Sequence, residues 1–266
     1  MSSVLLLGAG YSLTRWATRG GRAVQVLAST GNPERQARLR AAGCAVMPLE
    51  QALARASMHA ATLVSIPPEA GLDARLSAVL DGRPLVYLSS TAVYGSARGE
   101  VSEETPAEPD SGPGVARLAA ERLWRQAGAR VLRLAGIYGP GRSVLPRLRA
   151  GALKLPAEGG GRISRVHVDD LCQALDVVLG QGHPGEVYNV ADGSAATQRE
   201  LVDWLCPRLS LPLPGTVALT SLHRSLQGDR AVSSARLCTL GWTPRYPSFR
   251  EGYAQLIAEE ACGDAR

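Results

Sequence analysis

The chain has 266 residues, 45% of them hydrophobic and 20% charged, and a formal net charge of +5. This composition is typical of a globular protein, and no segment approaches the roughly 20 apolar residues of a membrane-spanning helix. Lys154 is the only lysine, and the arginines are scattered without an aromatic-rich basic stripe, which disfavours a nucleic-acid partner. Because the N-terminus enters the first strand without a signal-peptide pattern, we expect a cytoplasmic protein with no membrane partner.

The cysteines suggest neither a zinc site nor a disulfide framework. They are odd in number and widely spaced, and the sequence has no C-x-x-C pair. We therefore expect no metal site and interpret all five as small core or surface residues: Cys44, Cys172, Cys206, Cys238 and Cys262.

The first strand and turn carry the earliest functional signal. An apolar run ends in Gly8-Ala9-Gly10, and a helix is predicted over Tyr11–Thr18, ending at Gly20-Gly21. Such a turn brings backbone N–H groups close to a pyrophosphate and is typical of dinucleotide-binding βαβ units. Leu13 stands where the third glycine of G-x-G-x-x-G is expected, and we expect it to push the helix outward or shift it.

The end of the second predicted strand, Ala23–Ala28, bears on cofactor preference. An acidic residue there would hydrogen-bond the adenosine ribose, but this chain has Ser29 and Thr30, with Arg35 following. Without a carboxylate to repel a 2′-phosphate, the sequence slightly favours NADP over NAD. The alternative is that Arg35 simply lies on the exposed first turn of the next helix.

Helices and strands alternate along the following segment, with short connections. The predicted helices cover residues 33–42, 50–59, 69–80 and 115–127, and the predicted strands cover 44–49, 61–66, 84–89 and 129–134. Apolar strands in this alternation indicate a parallel sheet covered on both faces, with ligands at the carboxyl ends of its strands. Residues 96–114 form a predicted loop; further on we expect strands at 162–168 and 186–190 and helices at 169–179 and 197–205.

Four segments in a fixed order carry a family resemblance. They are SSTAVYG at 89–95, LRLAGIYGPG at 132–141, VHVDDL at 166–171 and VYNVAD at 187–192. Together with the glycine-rich turn, this set resembles the extended short-chain dehydrogenase/reductase superfamily, which contains nucleotide-sugar epimerases and dehydratases. The resemblance runs from Val4 to about Tyr253. It implies a Rossmann-like doubly wound α/β domain over residues 1–266, with a small C-terminal substrate lobe built from segments after about residue 140.

The resemblance also implies a chemistry. The family uses a Ser or Thr hydroxyl to orient the substrate oxygen, and a Tyr as general acid or base beside a Lys. A phenol with a pKa of about 10 needs a nearby cation to exchange protons near neutrality. Ser90 matches the family's serine and Thr91 could substitute for it. Aligning on Leu-Ala-Ala-Glu puts Pro113 at the tyrosine position and Arg117 at the lysine position, a pattern similar to the atypical branch of the superfamily.

The cofactor-binding residues that we expect gather at strand ends and at the glycine-rich turn. The strand-end hydroxyls have a simpler interpretation as hydrogen-bonding groups of the strand and the cofactor. The expected cofactor-binding set is Gly8, Gly10, Tyr11, Ser12, Leu13, Ser29, Thr30, Arg35, Ser65, Ile66, Pro67, Ser89 and Tyr138.

Other polar residues have both a structural and a functional interpretation. Tyr94 is read as structural rather than as a substitute acid, and His167 as a half-buried strand residue rather than a catalyst. Asp169-Asp170 suits a helix N-cap better than a pair of catalytic carboxylates. Arg117 could bind a phosphate or ribose, or form a surface ion pair with Glu121 four residues on.

The sequence favours an oxidoreductase that uses NADP or NAD on an unidentified small carbonyl, hydroxyl or nucleotide-sugar substrate. Ser90 or Thr91 would polarise the substrate oxygen, and the nicotinamide would carry the hydride. The alternatives are a protein that senses the dinucleotide without turnover, motivated by Pro113 and Arg117, and a scaffold that has given up the cofactor, motivated by Leu13. A homodimer is a further expectation, because members of the family often dimerise.

Overall fold

The computed structural model describes residues 3–20, 24–110, 112–158 and 160–263. The strands are β1 Ser3–Leu7, β2 Gln25–Ser29, β3 Ala45–Val46, β4 Ala61–Val64, β5 Leu85–Ser90, β6 Gly99–Val101, β7 Arg130–Leu134, β8 Gly136–Tyr138, β9 Leu155–Pro156, β10 Arg165–His167, β11 Val187–Val190, β12 Thr216–Val217 and β13 Arg230–Val232. The helices are α1 Tyr11–Thr18, α2 Pro33–Ala41, α3 Leu49–Leu53, α4 Ala70–Val79, α5 Gly112–Gln126, α6 Leu145–Arg149, α7 Val168–Gln181, α8 Gln198–Leu209, α9 Ala235–Cys238 and α10 Phe249–Gly263.

A seven-stranded parallel sheet forms the centre of the fold. Its strand order is β11-β7-β5-β4-β1-β2-β3, so the chain reverses its direction of travel across the sheet between β1 and β4. In open α/β sheets this switch point opens a crevice at the carboxyl ends of the strands. The predicted doubly wound Rossmann-like sheet is confirmed.

The two faces of the sheet bury separate apolar layers. One layer joins the sheet to α1 and α7 and includes Leu13, Trp16 and Leu171. The other joins it to α4 and α5 and includes Leu76 and Trp124. Burial on both faces explains why the strands read as continuous apolar runs rather than alternating ones.

Apart from α7 and β11, which belong to the main sheet and its covering layer, most segments after β7 build a smaller lobe beside the carboxyl edge of the sheet. Its apolar cluster packs α6, α8 and α10 around Phe249 and Tyr253. Short parallel strand pairs, β8 with β10 and β6 with β13, connect this lobe to the main sheet. The lobe therefore faces the crevice at the switch point.

Several element boundaries differ from the sequence prediction. The strand expected at 44–49 is reduced to Ala45–Val46, because Pro48 caps α3 directly after it. The predicted loop at 96–114 contains β6, and α5 begins within it at Gly112. The predicted start of β2 at Ala23, and Gly21 after α1, lie outside the described residues.

The prediction that Asp169 and Asp170 cap α7 is wrong. The N-cap is His167, whose Nδ1 accepts a hydrogen bond from the Asp169 N–H at 3.2 Å. The two carboxylates already have other partners: Asp169 pairs with Arg15, and Asp170 accepts from the backbone N–H groups of Arg245 and Tyr246. No helix within the described ranges is long and apolar enough to cross a membrane.

Candidate active site

The turn after β1 is shaped by Gly8. Its φ of +74° lies in the left-handed region, and a Cβ there would lie 2.8 Å from Ile66 Cγ2. Glycine is therefore required both by the backbone conformation and by the close approach of the segment that follows β4. Gly10 has more room, since a Cβ would meet only the Gly8 carbonyl oxygen at 3.8 Å. The turn leaves the backbone at the start of α1 close to the crevice.

Leu13 takes no side-chain part in the site. It is fully buried in the layer that contains Leu171 and Leu175 of α7. Arg15 donates to Asp169 at 2.7 and 2.9 Å, and the Trp16 indole donates to Asp176 at 2.9 Å, which further fastens α1 to α7. The expected displacement of α1 by Leu13 stays a prediction.

A pocket of about 410 Å³ lies beyond the end of β2. Two of the predicted residues, Ser29 and Thr30, line this pocket, whereas the predicted Arg35 does not. The cationic side chain that lines it is Arg40 of α2. Gln36, one helical turn before Arg40, donates to the Thr30 carbonyl at 2.8 Å. Sequence reasoning missed Arg40, although its i+4 spacing from Gln36 places both on one helix face.

The end of β4 contributes one predicted residue to the crevice. Ser65 lines the main cleft, and its N–H donates to the Leu7 carbonyl at 2.9 Å. Ile66 is buried against Gly8, and Pro67 is exposed outside the lining. Ile66 therefore shapes the turn through its contact with Gly8, and the cofactor roles of Ile66 and Pro67 stay predictions.

Three hydroxyls follow one another at the end of β5, each in a different environment. Ser89 is buried and donates to Glu121 Oε2 at 2.9 Å. Ser90 lines the cleft and its Oγ accepts from the Ala92 N–H at 3.1 Å, which leaves its own proton free to donate. Thr91 donates its proton to the Leu134 carbonyl at 3.3 Å. Ser90 is thus the hydroxyl best placed to bind a ligand.

A buried ion pair supports this strand end from behind. Arg133 of β7 donates to Glu121 of α5 at 2.5 Å, and both side chains are at least 94% buried. The Arg133 guanidinium also stacks 4.8 Å from the ring of Tyr94, whose hydroxyl lies 2.8 Å from Asn189 Oδ1. Tyr94 is therefore structural, as expected.

The first turns of α5 hold the two atypical positions. Pro113 lines the cleft, and Arg117 donates to the Tyr87 hydroxyl at 2.9 Å and to the Leu88 carbonyl at 3.3 Å. Burial raises the pKa of Tyr87 to about 12, so this phenol is a hydrogen-bond partner rather than a base. Of the two alternatives for Arg117, the surface pair with Glu121 is wrong, because Glu121 is buried and bonds Arg133.

Tyr138 lies at the inner end of the cleft between the sheet and the small lobe. Its ring stacks on Tyr253 with centroids 4.9 Å apart, and burial raises the pKa of its hydroxyl. Gly252 permits this arrangement, since a Cβ there would overlap the Tyr138 hydroxyl. The predicted cofactor contact of Tyr138 stays a prediction.

His167 belongs to the same packed junction. It is fully buried rather than half-buried as expected, and lies between the rings of Tyr138 and Tyr246. Burial lowers its pKa to about 4, so the imidazole is neutral at physiological pH. Its backbone-capping bond and packing support the structural interpretation over the catalytic one.

The main cleft has a volume of about 1290 Å³. It runs from Tyr11 and Ser12 at the glycine-rich turn, past Ser89 and Ser90, into the small lobe. Among the described lining residues Asp110 is the only carboxylate, and it pairs with Arg224 at 3.0 Å. The arginines that line the cleft are Arg98, Arg117, Arg142, Arg162, Arg165, Arg224 and Arg230.

The sequence signalled the strand-end side of this cleft but not its arginine side. Arg230 reaches across from β13 to donate to the Thr91 carbonyl at 2.9 Å, and burial lowers its pKa. Arg165 is buried and donates to the Ala196 carbonyl at 2.8 Å. Within the described part of the chain, no group of three His, Cys, Asp or Glu residues could hold a metal ion.

Comparison with known proteins finds a matching family and several relatives. The model of the NAD-dependent epimerase/dehydratase family matches residues 72–191. The Escherichia coli protein YeeZ is 30% identical over 61% of this chain and 58% of its own length. The dTDP-glucose 4,6-dehydratase of Streptomyces antibioticus is 34% identical over 65% of this chain and 56% of its own length. The matches thus span somewhat more than half the length of these curated relatives.

Solved structures extend the likeness to nearly the whole chain. A conserved protein of unknown function from Silicibacter pomeroyi is 29% identical, with a TM-score of 0.87 over 97% of this chain and 99% of its own. A Bacillus anthracis dTDP-glucose 4,6-dehydratase, solved with NAD, has a TM-score of 0.78 at 20% identity, covering 95% of this chain and 94% of its own. The second likeness concerns the fold alone.

Proposed function

We propose that this chain is a member of the extended short-chain dehydrogenase/reductase superfamily that binds a nicotinamide dinucleotide and acts on a sugar nucleotide in the same cleft. One observation carries the proposal: a single cleft of about 1290 Å³ joins the glycine-rich turn, Ser90 and an arginine-rich wall. A volume of this size exceeds the roughly 300–1,000 Å³ of most small-molecule pockets, and so suits a cofactor beside a second ligand.

The charge of the cleft supports an anionic substrate. Seven arginines and one carboxylate lie among its described lining residues. Guanidinium groups bind phosphates through paired, charge-assisted hydrogen bonds. A sugar nucleotide carries a diphosphate, which matches this wall, and the curated relatives include dTDP-glucose dehydratases.

Ser90 is the residue that we assign to the substrate oxygen. Its Oγ is fixed by the Ala92 N–H at 3.1 Å, and its proton is free to donate to a carbonyl or hydroxyl oxygen. The nicotinamide, when bound, supplies the hydride acceptor or donor. Arg117 keeps a positive charge beside this strand end, where its bonds to Tyr87 and Leu88 hold it in place.

Substitution of Ser90 tests this role. We expect Ser90→Ala to lower the rate of sugar-nucleotide conversion by about a hundredfold, the usual loss when one oxyanion donor is removed. Conversion is measured by chromatography of a panel of nucleoside-diphosphate sugars incubated with the protein and each dinucleotide. Ser77→Ala is the control, because the Ser77 hydroxyl donates to the Ala74 carbonyl within α4 and does not line the cleft. An unchanged rate in Ser90→Ala would remove Ser90 from the mechanism.

The pocket beyond β2 favours NADP. Arg40 and Gln36 line it together with Ser29 and Thr30, and none of its described lining residues is acidic. A 2′-phosphate would meet a guanidinium there instead of the carboxylate that prefers NAD. We expect Arg40→Ala to weaken NADP binding about tenfold relative to NAD, as measured by calorimetry, with Arg35→Ala as the matched control. Equal losses for both dinucleotides would contradict the preference.

A non-catalytic sensor of the dinucleotide is the second candidate. Pro113 stands at the position of the family's tyrosine and has no proton to exchange. This function predicts tight dinucleotide binding with no conversion of any sugar nucleotide in the same panel.

A further inference from the structure

We propose that Arg142 binds the pyrophosphate of the dinucleotide, using Tyr11 as a platform. This inference rests on the proposed function, because it assumes a dinucleotide at the glycine-rich turn. Arg142 lines the main cleft, and its guanidinium carbon lies 5.5 Å from the centre of the Tyr11 ring. Tyr11 is the first residue of α1 and directly follows Gly10 of that turn. The cation therefore stands at the end of the cleft where the pyrophosphate is expected.

The backbone of Arg142 is fixed by a closed turn after β8. The Gly139 N–H donates to the Arg142 carbonyl and the Arg142 N–H donates to the Gly139 carbonyl, each at 2.9 Å. Such a reciprocal pair holds the two residues opposite each other. The side chain of Arg142 thus projects from a defined point, and only its own torsions need ordering when a ligand binds.

This turn packs directly on Tyr11. The Tyr11 hydroxyl donates to the Pro140 carbonyl at 3.0 Å. At Gly139 a Cβ would lie 2.8 Å from the Tyr11 hydroxyl and 2.6 Å from Val168 Cγ1, so only glycine fits. Burial raises the pKa of Tyr11 to about 12, which keeps its proton on the hydroxyl for this bond. Contacts between residues 129 positions apart in sequence therefore bring Arg142 to the glycine-rich turn.

Arg142 is also available, unlike most arginines of the cleft. Arg224 pairs with Asp110, and Arg162 pairs with Glu100 and Asp229. Arg15, which also lies near Tyr11, is bound to Asp169 through two hydrogen bonds. Within the described ranges Arg142 is exposed and has neither an ion pair nor a side-chain hydrogen bond, only its contact with Tyr11.

Stacking on an aromatic ring leaves the donors of a guanidinium free. The five N–H groups lie in the plane of the guanidinium, so a ring on its face orients the group without consuming a donor. A pyrophosphate offers two adjacent anionic groups to such an edge. The chain thus supplies a side-chain cation at a site where the glycine-rich turn by itself supplies only backbone N–H groups.

The test compares ligands that contain the pyrophosphate with one that lacks it. We expect Arg142→Gln to weaken the binding of NADP and of ADP-ribose by a similar factor of about ten or more, and to leave the weak binding of adenosine unchanged. The dissociation constants are measured by calorimetry on the full chain. Arg147→Gln is the matched control, because Arg147 is an exposed arginine of α6 that does not line the cleft. Arg142→Lys should recover part of the affinity.

The outcomes separate this inference from the proposed function. If the unaltered protein binds dinucleotide and Arg142→Gln binds it within about twofold, the inference is overturned and the proposed function stands. If ADP-ribose affinity is unchanged while NADP affinity falls, Arg142 contacts the nicotinamide or the 2′-phosphate, both of which ADP-ribose lacks, and the inference is also overturned. If the unaltered protein binds no dinucleotide, both are overturned. A parallel loss of affinity for NADP and ADP-ribose supports the inference.

Discussion

The two walls of the main cleft are built in different ways. The near wall consists of the carboxyl ends of β1, β4 and β5, where Ser65, Ser89 and Ser90 face the cleft. The far wall consists of arginines on short strands and turns, including Arg142, Arg165 and Arg230. The near wall is neutral and shaped by backbone; the far wall is cationic and shaped by side chains that reach across the fold.

This difference separates two tasks. A parallel sheet fixes its strand ends rigidly, which suits the positioning of a cofactor common to a whole superfamily. Turns and short strand pairs tolerate substitution more readily, which suits a wall that selects the substrate under the proposed function. Arg142 is the exception, because it lies at the end of the far wall next to the glycine-rich turn and is proposed to bind the cofactor. Each wall also rests on a buried ionisable group, and these groups allow the two walls to be perturbed separately.

The largest expected effect comes from removing the support of the near wall. Glu121→Ala would leave the Arg133 guanidinium buried without its carboxylate. Breaking a buried pair in this way costs about 3–5 kcal/mol of unfolding free energy, measured by urea denaturation. Glu50→Ala is the control, because its pair with Arg75 is exposed and should contribute little. A small loss in Glu121→Ala would mean that the pair does not support the near wall.

A smaller effect on stability, which depends on pH, is expected from a substitution in the buried layer next to the far wall. Asp192 is 96% buried, its N–H donates to the Arg165 carbonyl at 2.7 Å, and burial raises the pKa of its carboxyl to about 7. The folded state therefore binds the carboxyl proton of Asp192 more tightly than the unfolded chain does. The stabilisation that comes from this bound proton is lost as the pH rises towards 7. The difference in unfolding free energy between Asp192→Asn and the unaltered protein should therefore change by roughly 3 kcal/mol, in favour of the variant, when the pH is raised from 5 to 8.

The measurement is urea denaturation of both proteins at the two pH values. His167 titrates in the opposite sense, because burial lowers its pKa to about 4, but it is common to both proteins and cancels in the difference. Asp203→Asn, which removes a carboxylate on the exposed face of α8, is the matched control. A difference between Asp192→Asn and the unaltered protein that is independent of pH would contradict the raised pKa.

The near wall was accessible from the sequence because local rules determine it. The glycines at 8 and 10, the apolar strand runs and the hydroxyls at 89–91 follow from backbone geometry and strand position. Arg40 could also have been found, since it follows Gln36 by one helical turn. The burial of Glu121 was less visible, because an i+4 spacing to Arg117 is equally typical of a surface pair.

The far wall could not be predicted in the same way. Arg230 donates to the Thr91 carbonyl over a separation of 139 residues, and Arg142 meets Tyr11 through a turn held by Pro140. Such contacts depend on how the small lobe packs against the sheet, which no local pattern encodes. In an arginine-rich chain without a basic cluster, nothing in the sequence distinguished these arginines from surface ones.

The roles that we propose for both walls depend on the binding of a dinucleotide at the near wall. The most direct measurement is calorimetric titration of the full chain with NAD⁺, NADH, NADP⁺ and NADPH. We expect at least one of them to bind as a single molecule per chain. Gly8→Val should abolish this binding, whereas Gly20→Ala, in open space, should preserve it. Binding of none of the four dinucleotides to the folded, unaltered protein would contradict this expectation.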